Sequence, residues 1–271
     1  MNFSPFHTHT TFCDGKNTAE EMVKKAIELG LSEIGFSSHS FTEHDSRWCM
    51  SKEGEGKYKD EILRLKDKYS DKIKIFLGIE YDYYSNTDIS DYDYVIGSVH
   101  YVKKDSQYIA LDESAKILKN AIKELYNGDA DALAEDYYNL VGDLYNKTSC
   151  HIVGHFDLIT KFQEREKVFD TNSKRYRKSA LDACRNLLKS PVTFEVNTGA
   201  ISRGYRTSFY PEEFILSEIV TGGGKLVITT DTHKTDTINS FVEDAENLLI
   251  EKNYPFFTTM EEILTHSRKN F

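Results

Sequence analysis

The chain has 271 residues and a formal net charge of −10. That length suits one large α/β domain or two small ones, and the acidic balance disfavours a long nucleic-acid partner. No stretch approaches the ~20 apolar residues that span a bilayer. No charged segment followed by an apolar one marks a secretory leader, and the four cysteines form no CxxC pair, so a reduced, cytoplasmic setting is expected.

In chain order, Phe6-His7-Thr8-His9 reads as the end of a short first strand, where residues two apart face the same way. His7 and His9 can then aim at one point, and Asp14, at the following turn, can add an oxygen. Thr18-Ala19-Glu20-Glu21 is a capping box that opens a helix with an apolar stripe of Met22, Ala26, Ile27 and Leu29, ended by Gly30. The second strand runs through Ile34-Gly35-Phe36 and stops at His39. A polar-aromatic loop over 41–50 carries His44, Asp45 and Trp48, and a charged helix is predicted over 52–69. The third run, Lys74-Ile75-Phe76-Leu77-Gly78-Ile79-Glu80, stops at a carboxylate, and the fourth, Tyr94-Val95-Ile96-Gly97-Ser98-Val99-His100, stops at a histidine.

Helices are predicted over 112–126 and 130–146. The fifth strand, Ile152-Val153-Gly154, stops at His155. A basic helix over 173–189 leads to the sixth strand, Val192-Thr193-Phe194-Glu195-Val196-Asn197. Pro211 is placed as the first residue of a helix that ends at Gly222-Gly223-Gly224. The last strand, Leu226-Val227-Ile228-Thr229-Thr230, stops at Asp231 and His233. Helices over 240–252 and 260–267 close the chain.

Seven short β-rich runs alternating with helices argue for a parallel α/β architecture. The runs are mostly continuous rather than alternating, as strands covered on both faces should be. Nearly every strand ends in His, Asp or Glu. Only a closed ring brings the C-terminal ends of distant strands around one centre, so a single-domain barrel over 1–271 is favoured over an open sheet. The glycines make no GxGxxG or Walker loop.

The candidate ligands are His7, His9, Asp14, His39, Glu80, His100, His155, Asp231 and His233. Zinc-like ions take four or five ligands, so nine residues suggest two or three divalent ions. Zn, Mn, Fe and Co all accept mixed nitrogen and oxygen donors. A close pair bridged by a carboxylate, with Glu80 the best placed, can lower the pKa of a shared water to about 7 and grip a phosphoryl group. Phosphoester hydrolysis is therefore the leading chemistry. Arg203, in the loop after the sixth strand, is the first choice for gripping phosphate, and Lys161 the second. His44, near the expected mouth, is a candidate substrate contact.

These residues carry a resemblance. Phe6-His7-Thr8-His9, Cys13-Asp14-Gly15, Ser37-Ser38-His39, Gly78-Ile79-Glu80, Ser98-Val99-His100, Gly154-His155-Phe156-Asp157, Glu195-Val196-Asn197-Thr198 and Thr230-Asp231-Thr232-His233 resemble the PHP (polymerase and histidinol phosphatase) superfamily. Within it the chain is similar to histidinol-phosphate phosphatases of the PHP type. The resemblance implies a distorted (β/α)7 barrel with a trinuclear site. It implies one metal on His7, His9, Glu80 and Asp231, a second on Glu80, His100 and His155, and a third on Asp14, His39 and His233. Some relatives have His where Asp14 stands, and Thr230 and Thr232 depart modestly from the usual Ser-Asp-Ala-His.

The expected activity is metal-dependent hydrolysis of L-histidinol phosphate in histidine biosynthesis, with Glu80, Asp231 and His233 catalytic. The alternatives are another PHP phosphoesterase acting on a nucleotide or other small phosphomonoester, and a catalytically idle metal-binding module. The expected partner is a small phosphomonoester, with no nucleic acid and no membrane; oligomeric state is not fixed by the pattern.

Overall fold

The apolar runs become strands buried on both faces. In the computed structural model, which describes residues 3–268, the strands are β1 (Glu33–Phe36), β2 (Lys74–Asp82), β3 (Tyr94–Ser98), β4 (Tyr101–Lys104), β5 (Gln107–Ala110), β6 (Ile152–Val153), β7 (Thr193–Asn197), β8 (Lys225–Thr229) and β9 (Phe256–Phe257). Seven of them form one sheet in the order β1-β2-β3-β6-β7-β8-β9, and every neighbouring pair is parallel. Every residue of β1, β3 and β7 is buried, which explains why these strands read as continuous rather than alternating. Residues 1–2 and 269–271 of the expected 1–271 domain lie outside the described residues.

The N-terminal segment closes the curled sheet. On one side His9 N–H donates to the Thr232 carbonyl at 2.8 Å, and Thr232 N–H to that of His7 at 3.0 Å. On the other side Gly35 and Ser37 of the first β-run donate to the Pro5 and Thr8 carbonyls, each at 2.9 Å. The expected first strand is thus a single parallel bridge, Thr8 to Thr232, rather than a full ladder. The reason is shared space: the same edge of β8 is already paired with β9 at Leu226 and Val227. The C-terminal helix, Met260–Arg268, plugs the ring. Its Met260 and Ile263 pack on Phe6, Tyr94, Ile96, Ile152 and Val227, and Glu33 accepts from Met260 N–H at 3.0 Å, placing a carboxylate at the positive end of the helix.

The capping box at Thr18 and Glu21 forms as expected. Other elements differ from the sequence reading. The helix expected over 112–126 is Ala115–Leu125, capped by Ser114, because Asp112 and Glu113 belong to the cavity wall. The helix expected over 130–146 breaks into Ala130–Gly142 and Leu144–Thr148 around Asp143. Pro211 precedes its helix, which is Glu213–Thr221 with Glu212 as cap. The antiparallel hairpin β4–β5 was not anticipated; its strands are short and turn at Asp105, which takes a left-handed φ of 52°.

Tyr94 sets the centre of the ring. Its ring lies in a slot that glycines leave open: a Cβ on Gly78 would meet the ring at 2.2 Å, and one on Gly35 the hydroxyl at 2.4 Å. The hydroxyl donates to the carbonyls of Phe6, at 2.5 Å, and Phe36, at 3.1 Å, tying the segment that carries His7 to β1. Gly78→Ala should therefore destabilise the fold by about 1–3 kcal/mol through overpacking. Tyr94→Phe, which keeps the shape and loses the donor, should cost about 1 kcal/mol. Urea unfolding midpoints measure both, and an Ala variant as stable as the parent would contradict the slot.

Candidate metal centre and active site

All nine sequence candidates converge on the C-terminal rim of the ring. His7 and His9 come from the closing segment and Asp14 from the turn after it. His39 follows β1, Glu80 lies in β2, and His100 and His155 follow β3 and β6. Asp231 and His233 follow β8. His39 is held by a parallel bridge to Glu80 itself. Asp231 takes a left-handed φ of 45°, a conformation that costs a non-glycine residue energy and that turns the chain just where two functional side chains are needed.

Glu80 is the hub, buried with 1% exposure. Its Oε2 lies 2.9 Å from His39 Nδ1, 3.2 Å from His7 Nε2 and 3.4 Å from His9 Nε2. Its Oε1 lies 2.9 Å from His155 Nε2 and 3.3 Å from His100 Nε2. Asp231 Oδ1 is 3.2 Å from His9 Nε2 and 3.6 Å from His233 Nδ1. Asp14 Oδ2 is 3.1 Å from His233 Nε2, and its Oδ1 is 3.8 Å from both His9 and His39.

Four groups have ligand atoms mutually within 4.8 Å: His9, Asp14, His39 and His233; His7, Glu80 and His155; His7, His9 and Asp231; and His39, Glu80 and His100. Together they contain all nine candidates. His7 Nε2, His9 Nε2, Asp14 Oδ1 and Glu80 Oε2 are buried without a hydrogen bond among the described residues. Stranded donors and acceptors of this kind are costly, and a divalent cation is what this mixed nitrogen and oxygen set fits.

The protonation pattern carries the same demand for positive charge. Burial would raise the pKa of Glu80, but His39, His7 and His100 pull it well below the usual carboxylate range. Burial likewise opposes ionisation of Asp231, and Arg203 and His7 overcome it. Burial would lower His7, yet Glu195, Glu80 and Asp231 raise it well above the ordinary histidine value. His9 goes the other way, to about 3, through burial and the neighbouring His233 and His39. The carboxylates stay charged and recruit cationic character from whatever faces them.

Two orienting residues went unassigned in the sequence reading. Glu195 is buried behind His7: its Oε1 accepts from His7 Nδ1 at 2.6 Å, and its Oε2 from His155 N–H at 2.6 Å. Thr229 and Asn197 also donate to it. This fixes which nitrogen His7 turns to the centre, the role outer carboxylates play behind metal-binding histidines. Asp82 does the same for His100, at 3.2 Å from Nδ1. A lone carboxylate inside an apolar strand was the available signal for Glu195.

Beside the cluster opens a cavity of about 450 Å³. Its wall includes Lys16, Asp45, Trp48, Tyr101, Asp112, Lys161, Arg203 and Tyr205. Arg203 lines it, but its guanidinium is engaged: Nη2 donates to Asp231 Oδ2 and Nη1 to the Asp231 carbonyl, both at 2.8 Å. Lys161 also lines it and donates to Asp112. His44 is not part of this wall. Its ring stacks on Tyr108 at 3.6 Å and packs against Tyr101, so its loop presents Asp45 and Trp48 to the cavity instead.

Residues 5–199 match the PHP domain family. The histidinol-phosphatase of Bacillus subtilis (strain 168) is 27% identical over 261 residues, covering 86% of this chain and 94% of its own. The histidinol phosphate phosphatase of Lactococcus lactis subsp. lactis Il1403, solved with zinc, L-histidinol and phosphate, shares the fold with a TM-score of 0.70 at 21% identity, over 94% of this chain and 95% of its own. A Listeria monocytogenes structure does so with a TM-score of 0.75 at 21% identity, over 89% and 99%. The family match spans well over half the chain, from His7 through His155 to Glu195, and the fold matches take in most of the rest: the chain belongs to the PHP domain family.

Proposed function

We propose that the whole chain is one metal-dependent phosphomonoesterase domain that hydrolyses L-histidinol phosphate to L-histidinol and phosphate. The observation that carries this is the convergence of nine ligand-type side chains, Glu80 among them, on one rim of the ring beside a cavity of substrate size. The Bacillus subtilis relative, named for this activity and similar over nearly its full length, supports the substrate. The Lactococcus lactis structure holds both products of the reaction together with zinc.

Two to three divalent ions are proposed: one on His7, His9, Glu80 and Asp231, a second on Glu80, His100 and His155, and a third on Asp14, His39 and His233. When bound, such ions supply Lewis-acid polarisation of the phosphoryl group and activate water as the nucleophile. Glu80 offers both oxygens to opposite sides of the cluster, which suits it to a bridging role. Asp231 and His233, adjacent to each other and to Arg203, are proposed as the catalytic side chains beside Glu80. Glu195 and Asp82 hold His7 and His100 in the required tautomers.

Glu80→Gln should keep the fold, by circular dichroism, and lose kcat/KM by roughly two to three orders of magnitude. A neutral amide cannot balance cations on both sides, so elemental analysis should also show fewer ions per chain. Near-normal kcat and metal content would remove Glu80 from the centre of the site.

L-histidinol phosphate should be cleaved with far higher kcat/KM than p-nitrophenyl phosphate. Equal efficiency, or a preference for nucleotides over both, would favour a different PHP phosphoesterase.

Arg203 and Lys161 are proposed to flank the phosphate. Loss of one charged hydrogen bond corresponds to roughly a tenfold to hundredfold loss of affinity, so Arg203→Met should raise KM and the phosphate-product Ki together by that order. Because Arg203 also steadies Asp231, metal content is measured alongside. If both constants stay near the parent values while Lys161→Met raises them, the phosphate anchor is Lys161.

A further inference from the structure

The cavity also carries carboxylates to which the phosphate chemistry gives no contact with the substrate. Apart from the metal-type ligands, four carboxylates line it: Asp45, Asp82, Asp112 and Glu113. Three have both oxygens engaged. Asp45 takes Arg47 N–H and Trp48 N–H on Oδ1 and the Tyr101 hydroxyl on Oδ2 at 2.5 Å. Asp82 takes Tyr84 N–H on Oδ1 and His100 on Oδ2. Glu113 is gripped through both oxygens by Arg47, at 3.2 and 2.6 Å.

Asp112 is different. Lys161 Nζ sits 2.9 Å from its backbone carbonyl and 3.2 Å from Oδ2, while Oδ1 accepts no hydrogen bond among the described residues. Its side chain keeps 36% of its exposure. The position is fixed from three directions. It follows β5, it precedes the Ser114 cap of the next helix, and it is held by a lysine at the end of the turn after His155. Lys161 itself lies 5.0 Å from the Tyr205 ring centroid, which limits how far it can swing.

We infer that Asp112 is the specificity residue of this site, its free carboxylate oxygen receiving the primary ammonium of a phosphorylated amino alcohol. The inference rests on the proposed phosphatase reading and adds how that site selects its substrate. With the phosphate dianion at the ion cluster, the amine on the carbon next to the phosphoester carbon remains to be recognised. An ammonium there needs an anionic acceptor that is positioned and not already satisfied, and Asp112 alone among the four offers one. Its pairing with Lys161 has a second consequence. The lysine holds the carboxylate in one orientation, so accepting the substrate amine costs little further ordering.

The test is a comparison of L-histidinol phosphate with its analogue lacking the amine, 3-(imidazol-4-yl)propyl phosphate, in the parent enzyme and in Asp112→Asn. In the parent, kcat/KM should favour the amine by about tenfold or more, as expected for one charged hydrogen bond. In Asp112→Asn that preference should collapse toward unity, with the change in KM. Calorimetric Kd values for L-histidinol against 3-(imidazol-4-yl)propanol should show the same loss without turnover. The variant's cleavage of the deamino analogue reports whether its fold and ion site survive. If the variant keeps the parent's preference, or instead loses discrimination against an analogue that retains the amine and lacks the imidazole, Asp112 does not read the amine. If the parent fails to cleave L-histidinol phosphate at all, the phosphatase reading fails rather than the assignment of Asp112.

Discussion

A buried carboxylate surrounded by imidazoles is the constraint on which the rest of this molecule depends. Glu80 stands within 3.4 Å of a nitrogen from each of five histidines that arrive from four separate segments of the chain. Buried and unpaired, a carboxylate of this kind is very costly. The arrangement is tolerable only if positive charge is delivered to it, and the surrounding histidines and the neighbouring Asp231 and Asp14 make that charge too large and too concentrated for protons to be the natural answer. The ring architecture follows from the same need, because only curvature brings the ends of β1, β2, β3, β6 and β8 to one point.

Much of the remaining structure keeps that point from drifting. The Tyr94 hydroxyl pins the Phe6 carbonyl, one residue before His7, to β1. The bridge from Thr8 to Thr232 holds the His7 and His9 pair against the turn that carries Asp231 and His233. Glu195 then fixes His7 from behind while also receiving the backbone of His155, so one buried carboxylate registers two strand ends against each other. The Met260–Arg268 helix closes the opposite end of the ring with apolar side chains, leaving a single polar face for chemistry.

The chain's acidity becomes intelligible at this scale. The cavity is lined by Asp45, Asp82, Asp112 and Glu113 as well as by the metal-type carboxylates, and Lys161 and Arg203 are each tied to an acid rather than standing free. Bound ions, not basic side chains, are then the main source of positive potential for a phosphate. The acid that remains in the cavity is proposed to meet the ammonium that a phosphorylated amino alcohol carries close to its phosphate.

The sequence by itself determined six strands of the parallel sheet, the helices between them, and which ligand-type residues stand where those runs stop. Those facts are local: continuous apolar runs, caps, and the type of residue at which each run stops. The ring followed by argument from them, since no open sheet gathers so many strand ends. Tertiary structure alone decided the finer matters. That the His7 segment is one bridge rather than a strand depends on β9 occupying the same edge of β8, which the residues around His7 do not encode. Glu195 reads as a strand carboxylate until His7, 188 positions away in the chain, is seen to donate to it. The loop over 41–50 reads as a wall whose substrate contact is His44. The unanticipated hairpin supplies Tyr108, whose ring covers His44 and leaves Asp45 and Trp48 facing the cavity. In each case the deciding contact joins segments far apart in sequence, and pairwise contact of that kind is set by the closure of the ring, not by the pattern of any one segment.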